Sequence, residues 1–188
     1  MADKDLSGAA WFKANQAKYP NSNKVEDLES GFKSKVKAFI KALEDAGAKV
    51  KISSTLRNPT RAALMHWSYK VANGKAKPKD VPEIKGATIT WDHGDDEASV
   101  AAAKEMAGVS GFNIAYQPSL TSRHIEGKAI DMDISWSKDL KIKDSKGKDV
   151  TIDKAPRTGQ NKDLHKIGDG YGVVKLASDP PHWSTDGK

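Results

Sequence analysis

The stretch Ser122–Ile134, SRHIEGKAIDMDI, changes character halfway along. Its first half sets a histidine and a glycine among polar residues. Its second half alternates with period two: Ile130, Met132 and Ile134 fall on one side of an extended chain, Asp131 and Asp133 on the other. That alternation marks a strand with one face in a core. Two carboxylates on the opposite face suit an ordinary solvated edge strand. With a histidine just upstream they also suit a metal site. Gly127, between His124 and Asp131, permits a tight reversal that folds the histidine back over the start of the strand.

Working outward, residues 27–46 form an amphipathic helix pattern, with Leu28, Phe32, Val36, Phe39, Ile40 and Leu43 at helical spacing and Gly47 at the cap. AKVKISS follows as a strand. Thr60–Ala72 reads as a second helix, and residues 81–92 as loop with a short strand. DDEASVAAAKEMAG reads as a third helix, acidic at its start and glycine-ended. FNIAY and AIDMDI are expected strands. Residues 135–153 suggest a polar hairpin around Lys146-Gly147. NKDLHKIGDGYGVVKL suggests a short helix and then a strand over Gly172–Leu176. The first residues read as a loose terminus with a helix cap. DKDLSG at Asp3–Gly8 imitates the opening of a calcium loop, but the twelfth position, which needs a bidentate Glu, is Ala14. With no repeat and no linker composition, the pattern predicts one α+β domain over residues 1–188, without a separate binding module.

The chain has 188 residues, enough for a core of its own, with 37% hydrophobic and 30% charged residues. No apolar run is long enough for a membrane span, and no leader pattern opens the chain, so no signal peptide and no membrane insertion are expected. Cysteine is absent, so a transition metal would be held by His and carboxylate. Lys+Arg exceed Asp+Glu by 31 − 25 = 6. The excess draws the chain towards polyanions, either nucleic acid or an anionic bacterial wall. No interleaved aromatic and basic motif or recognition helix supports nucleic acid.

Catalytic zinc takes three protein ligands and keeps a position open, while a separate carboxylate moves the proton. His124, Asp131 and His182 would supply two nitrogens and an oxygen, and Asp179, three residues before His182, the base. Taken alone, a wet acidic strand and an exposed turn near the end of the chain explain the same residues. Asp133 reads as an outer partner of the ligands or as solvated, and Glu126, which could compete as a base, as exposed in the turn. His66 reads as packed or surface, His93 as a helix cap or cleft residue, and His165 has no evident partner.

Three elements carry a resemblance. Ser122-x-His124-x-x-Gly127-x-Ala129-x-Asp131 is similar to the zinc signature of the D-Ala-D-Ala carboxypeptidase and dipeptidase family of metallopeptidases. That family includes the L-alanyl-D-glutamate endopeptidases that many bacteriophages use as endolysins. Asp179-Pro180-Pro181-His182-Trp183 resembles the family's second element, and Ser54-Thr55-Leu56-Arg57 its third. The resemblance spans Ser54–Trp183. An aspartate base, where carboxypeptidase and dipeptidase members often have glutamate, favours the phage branch.

The resemblance implies an α+β fold with a central, largely antiparallel sheet flanked by helices, of the kind shared by hedgehog proteins and D,D-peptidases. It implies one catalytic zinc ion on His124, Asp131 and His182, with Asp179 as general base. It implies that Arg57 steadies a substrate carboxylate or the oxyanion, and that Ser122 and Trp183 contribute to substrate binding. The expected substrate is the peptidoglycan stem peptide and the expected state a monomer. Such an enzyme is made in the host cytoplasm and released late through a holin-type pore. Two alternatives stand beside it: trimming of D-Ala-D-Ala termini, and a non-catalytic basic domain that binds wall polymer or nucleic acid.

Overall fold

The computed structural model describes residues 5–109, 114 and 117–188. The chain is α+β, and every pairing between its named strands is antiparallel. Along the chain run α1 (Ala9–Asn15), α2 (Ser30–Asp45), β1 (Lys49–Ser54), α3 (Pro59–Ala72), α4 (Asp96–Gly108), β2 (Ala129–Ser135), β3 (Leu140–Lys143), β4 (Asp149–Ile152), α5 (Lys162–Gly170), β5 (Val174–Lys175) and β6 (His182–Ser184). These residues group into two compact units, Met1–Pro20 with Asn58–Thr121, and Asn21–Arg57 with Ser122–Lys188.

The first unit is helical. Its core joins Trp11 and Phe12 of α1, Leu64 and Val71 of α3, and Ala103 and Met106 of α4. The helix boundaries follow from capping: the side chains of Asn58 and Asp95 accept hydrogen bonds from the exposed amides of Arg61 and Ala98. The first described residues are tied down: Ser7 N–H donates to the Thr90 carbonyl and Thr90 N–H to that of Asp5. Trp11 and Phe12 are buried, and burying a large side chain contributes about 1.5–3 kcal/mol, enough to hold a two-turn helix that pattern alone would not favour. The short strand expected within residues 81–92 reduces to a single parallel bridge from Thr90 to Leu6. The strand expected at FNIAY lies, apart from Ile114, outside the described residues.

The second unit carries a four-stranded sheet in the order β1-β2-β6-β5, with β3 and β4 forming the expected hairpin separately. Ile130, Met132 and Ile134 are buried, Asp131 is half-buried and Asp133 exposed, as the period-two pattern predicts. The apolar side of β2 shares a core with Phe32, Val36, Phe39 and Leu43 of α2 and with Trp183 of β6. The Phe39 and Trp183 rings lie 5.5 Å apart between centroids. Gly168 of α5 lets that helix approach: an added Cβ would stand 2.7 Å from the Trp183 ring.

β6 was not legible as a strand. Residues 176–181 lead into it. They fold into consecutive turns, with Asp179 N–H donating to the Leu176 carbonyl and His182 N–H to the Asp179 carbonyl, before β6 begins.

Candidate metal centre

β2 lies between β1 and β6, so side chains on one face of three strands can meet. Asp131 pairs with Ser54 on one side and with His182 on the other. Directly opposed residues of an antiparallel pair project to the same face. His182 therefore arrives beside Asp131, while its neighbour Trp183 turns into the core. His124 reaches the same place from the loop before β2. There Gly127 adopts φ 68, and its carbonyl accepts a hydrogen bond from Glu29 N–H at 2.9 Å.

Three atoms converge. His124 Nε2 lies 3.1 Å from Asp131 Oδ1 and 3.2 Å from His182 Nδ1, and His182 Nδ1 lies 3.1 Å from the same Oδ1. Both imidazoles are buried. Their other nitrogens are engaged by main-chain oxygens: His124 Nδ1 is 2.7 Å from the Thr55 carbonyl, and His182 Nε2 is 3.1 Å from the Lys188 oxygen. A carbonyl only accepts, so each of those nitrogens carries the hydrogen. The inward nitrogens then present lone pairs, to each other and to a carboxylate. Three acceptors within 3.2 Å of one another are stable only around a proton or a cation.

The donor set fits a divalent ion. Two imidazole nitrogens and a carboxylate oxygen, 3.1–3.2 Å from one another, are spaced as ligands about 2.1 Å from a shared ion would be. Among the described residues, His124, Asp131 and His182 are the group of His, Cys, Asp and Glu side chains placed to hold a metal. The main-chain oxygens behind the imidazoles set the ring orientation and tautomer, as outer partners of metal-binding histidines do. Thr55, one of these partners, is itself buried and fixed, its N–H donating to Ser22 and its hydroxyl to Lys24.

The electrostatics agree. Burial opposes the charged form of Asp131, but the hydrogen bonds and charge of the two imidazoles outweigh it and hold the carboxyl well below the usual carboxylate range. The hydrogen bond to Asp131 raises His182 above the ordinary imidazole value, with burial opposing.

The other expected site residues are arranged around this cluster in different ways. Asp179 is exposed at the turn before His182 and its carboxylate is not one of the three converging groups. Its charge nevertheless contributes to the upward shift of His182. Arg57 is half-buried, its amide donates to the His124 carbonyl at 3.0 Å, and its guanidinium forms no ion pair among the described residues. Ser122 turns the chain into His124, whose N–H donates to its hydroxyl at 3.3 Å. Trp183 has no exposed surface and packs against Phe39 and His165, so its ring supports the sheet from the core side.

Glu126 is tied into ion pairs with Lys128 and Arg123, which hold its carboxyl below the ordinary value. The remaining histidines have structural partners. His66 Nδ1 binds the Pro118 carbonyl, His93 Nε2 the Ser7 hydroxyl, and His165 Nε2 the Gly159 carbonyl.

Sequence reasoning missed Lys175. It is buried, and its ammonium donates to the carbonyls of Leu176, Asp179 and His182. A lysine in a short strand carries no signal of that role, because its targets are main-chain atoms. No family model and no curated protein matches the chain. Among the described residues, no helix is long and apolar enough to cross a membrane.

Proposed function

We propose that this protein is a zinc peptidase that hydrolyses an amide bond in the stem peptides of bacterial peptidoglycan, and that it serves as a bacteriophage endolysin of the L-alanyl-D-glutamate endopeptidase type. The observation that carries the reading is the convergence of His124 Nε2, Asp131 Oδ1 and His182 Nδ1 within 3.2 Å, with both imidazoles buttressed from behind. Two nitrogens and an oxygen would also accept other divalent ions. The resemblance of the Ser122–Asp131, Asp179–Trp183 and Ser54–Arg57 segments to the peptidase motifs supports zinc and amide hydrolysis.

A zinc ion held there would supply Lewis acidity, polarising the scissile carbonyl and bringing the pKa of water to about 7. Asp179 takes a proton from the water that adds to the carbonyl carbon, and gives it to the amine as the C–N bond breaks. Arg57 steadies the anionic stem peptide or the oxyanion with a permanent charge and forked donors. The net charge of +6 attracts the chain to an anionic wall. The enzyme works as a monomer and reaches the wall late, through a holin-type pore.

A second reading, trimming of D-Ala-D-Ala termini, is favoured by one observation. The Arg57 guanidinium, without an ion pair among the described residues, suits capture of a free terminal carboxylate. Mass spectrometry of products from purified peptidoglycan, with the protein chelated and then zinc-restored, separates the two. Zinc-dependent release with new N-termini at D-glutamate is the expected result. Free D-alanine would select the carboxypeptidase, and no product in either state would overturn the peptidase.

A further inference from the structure

Lys175 is the one buried lysine among the described residues, and its head group points away from water. It stands opposite Trp183 in the β5–β6 pair, with Nζ 5.6 Å from the centre of that ring. The ammonium has three protons. It meets three carbonyl oxygens, those of Leu176, Asp179 and His182, which are the corners of the loop between β5 and β6.

Each of these carbonyls already has a main-chain partner. Leu176 O accepts from Asp179 N–H, Asp179 O from His182 N–H, and His182 O from Leu176 N–H. The loop therefore closes on its own backbone, and the ammonium occupies further lone pairs from inside. Burying a charge is unfavourable unless it is fully hydrogen-bonded, and the three carbonyls meet that condition. The same loop brings a metal-site histidine to Asp131 and carries Asp179.

We propose that Lys175 is a positioning residue whose ammonium pins the 176–182 loop from within, setting the His182 ligand nitrogen, and with it Asp179, in register with His124 and Asp131. The role rests on the metal-centre reading and not on which bond is cut. Charge at this position opposes a nearby cation, so the gain is geometric: one ammonium ties together three oxygens that each have a single main-chain partner.

The test is Lys175→Met, which keeps length and volume, loses the donors and leaves the loop's backbone hydrogen bonds possible. Zinc affinity is measured by competition with a chromogenic chelator, and amide exchange by NMR. The expected result is a folded protein with affinity reduced about 10–100-fold. Exchange should be faster at the Leu176, Asp179 and His182 amides and unchanged in β1 and β2. The chain has no cysteine, so Lys175→Cys can be aminoethylated cleanly while unfolded and then refolded. That restores an ammonium at nearly the same reach and should restore zinc affinity.

Wild-type zinc affinity in Lys175→Met overturns the proposal. On the wild type itself, added zinc should slow exchange at the same three amides; unchanged exchange also overturns it, whether or not the variants fold. A wild type that holds zinc but releases nothing from peptidoglycan removes the proposed activity and leaves this role standing. A wild type that binds no divalent ion removes both.

Discussion

Asp131 and His182 stand directly opposite each other across β2 and β6, with Oδ1 3.1 Å from Nδ1, although 51 positions separate them in the chain. This pairing makes two of the three corners of the candidate chelating site. Strand register fixes their backbones, and the Lys188 oxygen behind His182 fixes which nitrogen faces Asp131. His124 completes the triangle from a loop whose turn depends on Gly127.

Removal of one corner should empty the site. His182→Ala leaves two donors, and its zinc affinity should fall by more than the 10–100-fold typical of losing an outer partner. Metal content measured after gel filtration should drop to background. A variant that kept stoichiometric zinc would contradict the assignment of His182.

Asp179→Asn should separate binding from chemistry. The side chain is exposed and not among the three converging groups, so zinc content and melting temperature should stay close to wild type. Hydrolysis of stem peptides should fall about 10²–10⁴-fold, the usual contribution of a general base. Unchanged turnover would move the base elsewhere.

The metal-free protein should have a pH dependence opposite to that of metal binding. The His182 imidazole is raised in the fold, chiefly by its hydrogen bond to Asp131, so it stabilises fully below about pH 6.5 and loses that contribution as pH rises through its higher folded value. The Asp131 carboxyl is depressed: burial acts against the charge, and the two imidazoles overcome it. Its contribution is present above about pH 3.9 and is lost as pH falls through the lower folded value. The pair thus supports the metal-free chain most between about pH 4 and 6.5. Zinc competes with the His182 proton and binds better as pH rises. Calorimetry at about pH 6 and about pH 8 should show the metal-free wild type losing its advantage over His182→Ala. The zinc-loaded protein should keep its own. A metal-free advantage that grew with pH would contradict the geometry.

Gly127→Ala should destabilise beyond simple backbone strain. At φ 68 any L side chain costs about 1–2 kcal/mol, and here the added Cβ would also stand 2.9 Å from the Glu29 nitrogen. Glu29 caps α2, so the clash reaches the core helix. Gly147→Ala, at φ 82 with nothing within 4 Å, is the control and should cost only the strain. Equal losses in urea melts would mean that the close approach to Glu29 does not matter.

Much was legible locally. The period of two in AIDMDI placed Asp131 opposite a buried apolar row, and the helical spacing of Phe32, Val36, Phe39 and Leu43 identified the helix that covers it. These periods are properties of neighbouring residues, so one chain suffices to read them. β6 escaped because three residues after two prolines carry no readable period. α1 escaped because its stability comes from burying Trp11 and Phe12.

Residue types and spacing determined which side chains of this protein are able to bind a metal. Tertiary structure decided that three of them meet, through the Asp131–His182 register and the turn at Gly127. It also decided their chemistry, because the groups that orient the imidazoles and hold the His182 loop are carbonyls of Thr55, Lys188, Leu176 and Asp179. Every residue carries a carbonyl, so no sequence pattern marks these four; only the fold distinguishes them by where it aims them.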